Sequence, residues 1–167
     1  MAWWHTQRSA SEGRIPVSGY AWRRAAADYG DVATVQPIPR TAPVRVLLCD
    51  DAPDLRALLR CFLAREADVE VVGEAADGTG IVDHVRSAGA AAVLIDLAMP
   101  RTDGLEAIVA LRAAYPDLCI VVLSGFERAR MERRALALGA DSYVEKAASL
   151  DEVVTTLRTA VAARSAV

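Results

Sequence analysis

Residues that ligate soft metals or carry redox chemistry are scarce in this sequence: three cysteines, two histidines and no CxxC pair. Cys49, Cys61 and Cys119 lie far apart, each inside an apolar segment. That spacing argues against a zinc site or a dithiol and fits buried thiols in a reducing compartment. His5 and His84 are equally isolated. Long apolar runs are missing too, as is a charged start followed by an apolar core and a small-residue cleavage site. A membrane span, which takes about 20 apolar residues, and a secretory signal are therefore not expected. Nor is there a large excess of charge of one sign. A net charge of −3 with 25 % charged residues is ordinary and gives no bulk argument for nucleic acid or membrane. These absences leave a cytoplasmic protein without membrane insertion, and 167 residues allow one ordinary domain with its own core plus an arm.

The charge is divided unevenly. Residues 1–43 hold five Arg against three acids, a balance of +2, whereas residues 44–167 hold fourteen basic and nineteen acidic side chains, a balance of −5. The first stretch contains Pro16, Pro37, Pro39 and Pro43 and no sustained period of 2 or 3.6. It reads as an N-terminal arm, disordered for the most part, with a short marginal helix over 20–29. All three tryptophans, Trp3, Trp4 and Trp22, fall in it, where aromatics beside arginines suit a partner or a membrane surface. Organised sequence begins abruptly at Val44, so the arm is expected to be an upstream extension that is not always made. The domain is set at 44–163, with a short tail at 164–167.

From Val44 onward, apolar runs alternate with helical patterns. Val44–Cys49 has strand length and stops at Asp50-Asp51. Pro53 suits the first turn of a helix, and Leu55, Leu58, Leu59, Phe62 and Leu63 follow at helical spacing. Val69–Val72 is the second strand, closed by Gly73 and the turn-forming Asp77-Gly78, and Ile81–Ser87 the second helix. Ala92–Asp96 is the third strand. Gly104 opens a helix bearing Leu105, Ile108, Val109 and Leu111, which Tyr115-Pro116 ends. Leu118–Leu123 is the fourth strand and stops at Ser124-Gly125. In the next helix Arg128, Arg130, Arg133 and Arg134 alternate with Glu127 and Glu132 around a thin stripe of Met131, Ala135 and Leu138, up to Gly139. Tyr143-Val144 is the fifth strand and gives way to Glu145-Lys146. Ser149 and Glu152 have the spacing of a capping box for the last helix, with Leu150, Val153, Val154, Leu157 and Val161 as its buried stripe. Strand-then-helix, five times over, implies an α/β fold: a flavodoxin-like, doubly wound (βα)5 domain whose parallel five-stranded sheet runs in the order 2-1-3-4-5.

That order places the topological switch point between the first and third strands, bringing Asp50 and Asp51 beside Asp96 at the carboxyl edge where open α/β sheets bind ligands. A single Asp before a loop is more often a turn starter. Three carboxylates gathered at one edge repel, however, and a hard divalent cation, Mg²⁺ above all, is the natural remedy. Ser124 and Lys146 arrive at the same edge from the fourth and fifth strands. Each part alone has a bland explanation: a solvated turn, a helix cap, a surface charge. Together, a hydroxyl, an ammonium and a metal facing one carboxylate make a pocket for a phosphoryl group, with Asp96 as a nucleophile that forms an acyl phosphate.

On these residues the stretch from Val44 to about Ala163 resembles the receiver domain of bacterial two-component response regulators. The motifs are LLCDD (Leu47 to Asp51), IDLAMPRTDG (Ile95 to Gly104), VVLSG (Val121 to Gly125) and GADSYVEKA (Gly139 to Ala147). The resemblance implies that Asp96 accepts phosphate from a sensor histidine kinase or phosphotransfer protein. It also implies that Asp51 and Asp96 ligate Mg²⁺ with the Ala98 carbonyl, while Asp50 binds it through water. Ser124 and Lys146 would contact the phosphoryl oxygens. On phosphorylation Ser124 would be drawn inward and Tyr143, which matches the family's switch aromatic, would turn inward; as a strand aromatic it would otherwise simply pack. The domain would then be a phosphoacceptor rather than an enzyme, with weak self-phosphorylation from small donors. Two departures stand out. Ala147 follows the lysine where many members have proline. Ala98 and Phe126 offer no polar group to orient a hydrolytic water, so self-dephosphorylation should be slow.

The wording of YVEKAASLDEVV (Tyr143 to Val154) is similar to receivers of LuxR/NarL-type regulators, which carry a C-terminal helix-turn-helix. With the chain ending at Val167, directly after the fifth helix, no output domain and no direct DNA binding are expected. Interleaved glutamates make the arginine-bearing helix a solvated or partner-binding face rather than a nucleic-acid one. Signal would leave through contacts with an unidentified protein target or a second copy of the chain. The alternatives are a phosphate sink or shuttle that drains a kinase, and the receiver portion of a transcriptional regulator lacking its DNA-binding domain. A haloacid-dehalogenase-like phosphatase would want a second acid two residues after the nucleophile, where Ala98 stands.

Overall fold

Strand and helix alternate without interruption through residues 42–166, the part of the chain that the structure, a computed structural model, describes. In order these are β1 (Val44–Cys49), α1 (Pro53–Leu63), β2 (Val69–Ala75), α2 (Ile81–Ala88), β3 (Ala92–Ile95), α3 (Gly104–Ala114), β4 (Cys119–Ser124), α4 (Arg128–Ala137), β5 (Ser142–Glu145) and α5 (Leu150–Ser165). The arm expected over 1–43, its marginal helix and its tryptophans lie outside the described residues, apart from residues 42 and 43. α5 continues to Ser165, two residues past the boundary drawn at 163.

The five strands are parallel and ordered β2-β1-β3-β4-β5, as the alternation predicts. β3 and β4 are buried along their whole length, which is why they read as unbroken apolar runs instead of alternating ones. Strand side chains point alternately to the two faces. Leu47 and Cys49 join one core, packed under α2, α3 and α4 by Ile81, Val85, Leu105, Ile108 and Leu111. Val46 and Leu48 join the other, closed by Leu59 and Leu63 of α1 and by Val153, Val154 and Leu157 of α5. Each fully buried Leu or Ile of these layers contributes about 1.5–3 kcal/mol. Helix ends follow local chemistry: Asp103 accepts from the Leu105 N–H at 2.9 Å to cap α3, and Ser149 accepts from the Glu152 N–H at 3.2 Å to cap α5.

Four expectations need correction. Gly73 does not close β2, which runs on to Ala75; it sits opposite Leu47, where the β1–β2 register shifts. A Cβ there would stand 2.8 Å from Leu47 Cδ1, so the glycine makes room for a core leucine. Leu58 and Val109 are at helical spacing with buried neighbours, yet are 52 % and 46 % exposed, at the margins of stripes that the sheet does not fully cover. Cys61 is exposed because it lies across α1 from the buried Leu59 and Leu63.

Candidate functional site at the carboxyl edge of the sheet

Every strand of a parallel sheet ends on the same edge, and here the ends of β1, β3, β4 and β5 deliver polar groups that their own apolar runs could not bury alone. Asp50 and Asp96 follow directly on β1 and β3, Ser124 is the last residue of β4, and Lys146 follows directly on β5. The sheet's hydrogen bonding runs on past the strand ends. The Asp50 N–H donates to the Ala75 carbonyl at 3.1 Å, the Asp96 N–H to Cys49 at 2.9 Å and the Lys146 N–H to Ser124 at 2.8 Å. The backbone under all three charged groups is thereby fixed. Asp50 and Asp96 are 3 % and 2 % exposed and Ser124 is fully buried, whereas Asp51 is exposed.

Two buried carboxylates demand a counter-charge. Lys146 supplies it, its Nζ lying 2.7 Å from Asp96 Oδ2 and 2.8 Å from Asp50 Oδ2. Burial, the largest single influence, pulls the ammonium pKa down. Hydrogen bonds to Asp50 and Asp96 and their charges outweigh it, so Lys146 stands above the ordinary lysine value. Lys146 is also the only lysine in the chain, every other strong base being arginine. A compact ammonium bridges two carboxylates and can be shared with a third anion; a planar guanidinium would fill the cleft.

The other oxygens are divided between structure and solvent. Asp50 Oδ1 accepts from the Ala52 N–H at 2.9 Å, and Arg56 donates to the Asp50 carbonyl. Asp96 Oδ1 is buried with no hydrogen-bond partner among the described residues. Carboxylate oxygens of Asp50, Asp51 and Asp96 lie within 4.8 Å of one another, an all-oxygen donor set suited to a hard cation. Ser124 Oγ accepts from the Phe126 N–H at 3.3 Å, and the buried Tyr143 donates its hydroxyl to the Phe126 carbonyl at 2.7 Å. Burial pushes the Tyr143 phenol up. Ala98 is exposed in the loop beyond Asp96, beside a cleft of about 470 Å³ that Phe126 and Arg134 also line. After Glu145 the chain turns, with the Ala148 N–H donating to its carbonyl at 2.9 Å.

Behind the acid cluster lie two contacts that local sequence pattern does not show. A Cβ on Gly104 would stand 2.3 Å from the Asp96 carbonyl oxygen and 2.6 Å from Leu97 Cα, so the first turn of α3 presses directly on the Asp96 backbone. Arg56 ties Asp50 to Glu74, its Nε lying 3.0 Å from Glu74 Oε2; nothing in its spacing marks it.

A sequence model describing the response regulator receiver domain matches residues 46–158. The chain belongs to that family. This receiver is 31 % identical over 115 residues to the response regulator protein VraR of Staphylococcus epidermidis, covering 69 % of this chain and 55 % of the relative. It is 35 % identical over 113 residues to the uncharacterized transcriptional regulatory protein YhcZ of Bacillus subtilis, covering 68 % and 53 %. The chain thus spans about half the length of the curated relatives it matches. Its fold is similar to the crystal structure of a two-component response regulator of the LuxR family from Aurantimonas, with a TM-score of 0.69 and 28 % identity over 74 % of this chain and 88 % of that one. The receiver is therefore close to those of LuxR- and NarL-type regulators. Among the described residues no helix is long and apolar enough to cross a membrane.

Proposed function

We propose that Asp96 is the phosphoacceptor of this receiver, taking a phosphoryl group from a sensor histidine kinase or phosphotransfer protein in a Mg²⁺-dependent reaction. The observation that carries the reading is the division of labour on one carboxylate. Lys146 fixes Asp96 Oδ2, while Oδ1 is buried and, among the described residues, unpartnered. A buried oxygen without a partner costs roughly 1–3 kcal/mol, and that cost disappears when a cation or a phosphorus atom sits against it. Attack by Oδ1 forms the O–P bond of an acyl phosphate as the N–P bond of a phosphohistidine breaks, and the electron pair stays on the imidazole.

The chain's own groups share the remaining tasks. Lys146, already bridging two carboxylates, moves part of its hydrogen bonding to a phosphoryl oxygen, and Ser124 turns its hydroxyl towards another. Asp51, Asp96 and the Ala98 carbonyl would hold Mg²⁺, with Asp50 acting through water; the all-oxygen cluster fits that ion. When bound, Mg²⁺ neutralises charge on the transferring phosphoryl oxygens. Turning Ser124 has a consequence. Its Oγ and the Tyr143 hydroxyl hold the two ends of the same residue, accepting from the Phe126 N–H and donating to its carbonyl. Phosphorylation therefore frees the Phe126 N–H and loosens the segment between β4 and α4, the route by which Tyr143 would report to the face of α4, β5 and α5.

Output passes to a protein target or a second copy through that face. The length relation favours one further reading. Because the chain matches about half of relatives that include a named transcriptional regulatory protein, the same receiver would serve as the input half of such a regulator, with DNA contact made elsewhere. The test is incubation with phosphoramidate and Mg²⁺ followed by intact mass measurement. Wild type should gain one phosphoryl group and Asp96→Asn none. An unmodified wild type with several small donors, or an equally modified Asp96→Asn, contradicts the proposal.

A further inference from the structure

Among the described residues Arg101 is the one non-glycine residue with a positive φ, +70°. It sits in the loop from Asp96 to Asp103, between the proposed acceptor and α3. A side chain in the left-handed region is unfavourable unless something else holds the backbone there. Its side chain reaches a residue that the acid cluster does not use. The Arg101 guanidinium pairs with Asp77, 24 residues away in the loop between β2 and α2, and Asp77 is only 8 % exposed.

Asp77 is itself held on several sides. Its Oδ1 accepts from the Thr79 N–H at 2.7 Å, closing the Asp77-Gly78 turn. Its carbonyl accepts from Cys49 Sγ at 3.4 Å, and the same sulfur lies 3.6 Å from Met99 Sδ in the acceptor loop. Thr79 Oγ1 and Thr102 Oγ1 are 3.4 Å apart. Gly78 leaves the space that Thr102 fills, since a Cβ on it would meet Thr102 Cγ2 at 2.8 Å. The acceptor loop is therefore fastened to the β2–α2 loop at residues 101 and 102, while Met99 meets Cys49 at the end of β1.

We infer that Asp77 and Arg101 are positioning residues for phosphoryl transfer, their cross-loop ion pair keeping the Asp96–Asp103 loop in the left-handed path that sets the place of Asp96 and of the Ala98 backbone. The inference rests on the reading of Asp96 given above. Arg101 is largely solvated on its outer side, so the pair adds little to global stability. Its leverage is local. It acts on a short loop in which a misplacement of about 1 Å costs on the order of a hundredfold in rate.

Backbone conformation, rather than charge near the donor, is the thing being held, and glycine separates the two. Glycine adopts the left-handed region without a partner, whereas alanine does not. Phosphorylation rates with phosphoramidate at saturating Mg²⁺ should therefore fall by on the order of tenfold in Arg101→Ala and in Asp77→Asn, and stay near wild type in Arg101→Gly. Asp77→Asn keeps the acceptor for Thr79 while removing the charge. Placed in the Arg101→Gly background, it should have no further effect. Amide hydrogen exchange of residues 97–103, read without any donor, should quicken in Arg101→Ala and Asp77→Asn at unchanged urea midpoints. The inference is overturned if Arg101→Ala matches wild type in both readouts, or if Arg101→Gly is as slow as Arg101→Ala. Arg101 is on the surface, so these two variants decide the matter even where Asp77→Asn folds poorly. If wild type itself takes up no phosphate, the reading of Asp96 fails, and the exchange measurement still tests the latch.

Discussion

Gly104→Ala puts the better helix former at the first position of α3, a change worth about 1 kcal/mol in favour of the mutant by propensity alone. The structure predicts the opposite. The new Cβ would stand 2.3 Å from the Asp96 carbonyl oxygen and 2.6 Å from Leu97 Cα, against ordinary contact that begins near 3.4 Å. Both obstacles are backbone, so no rotamer change relieves them, and α3 and the Asp96–Leu97 peptide must separate by about 1 Å. Overpacking of this kind costs about 1–3 kcal/mol. Separation also strains the bond from the Gly104 N–H to the Leu97 carbonyl, now 3.2 Å, worth a further ~1 kcal/mol. The clash therefore outweighs propensity, leaving a net loss of about 1–3 kcal/mol. With a slope of roughly 1–3 kcal/mol per molar urea, the unfolding midpoint should drop by about 1 M. Because the displaced atoms carry the acceptor, phosphorylation should slow by as much as a hundredfold, on the order expected for a 1 Å misplacement. A midpoint that rises or stays put, with an unchanged phosphorylation rate, would refute the reasoning.

Other expectations follow from the same geometry. Ala98→Asn places an amide beside the acceptor and should shorten the acyl-phosphate lifetime on the order of tenfold by orienting water; an unchanged lifetime counts against the account of slow self-dephosphorylation. In native protein Cys61 should alkylate at once, while Cys49 and Cys119, buried and with thiols pushed up to about 12, should react only on unfolding. Equal reactivity of all three contradicts the burial. Lys146, being the sole lysine, gives a single ¹³Cε resonance that should titrate above 10.5. Since its folded pKa is raised, its ion pairs stabilise the fold fully below the unfolded lysine value, and that contribution is lost as pH rises through the folded one. Titration at or below 10.5 would mean that the two carboxylates do not hold it as described.

Asp50, Asp96, Ser124 and Lys146 could be found in the sequence because each interrupts an apolar run, and in a parallel sheet the ends of such runs share one edge. Strand order followed from the alternation with helices, which leaves few topologies open. What stayed hidden depends on partners remote in sequence. Gly73 looks like a strand terminator until Leu47 is seen filling its Cβ position. Leu58 and Val109 fit their helical stripes, but how wide a stripe the sheet covers is a tertiary matter. Asp77-Gly78 was legible as a turn, whereas its grip on Arg101 joins two loops that no local pattern connects. Gly104 was legible as the start of a helix, and only the approach of the Asp96 carbonyl shows how little space it has.

The central claim, that Asp96 and no other carboxylate of the cluster becomes the acyl phosphate, is tested most directly by trapping. Wild-type protein treated with phosphoramidate and Mg²⁺, then reduced with borohydride, should yield homoserine at residue 96 on peptide mapping. Asp50 and Asp51, held at the same edge, should remain aspartate. Homoserine at either of those positions, or at none, would contradict the account.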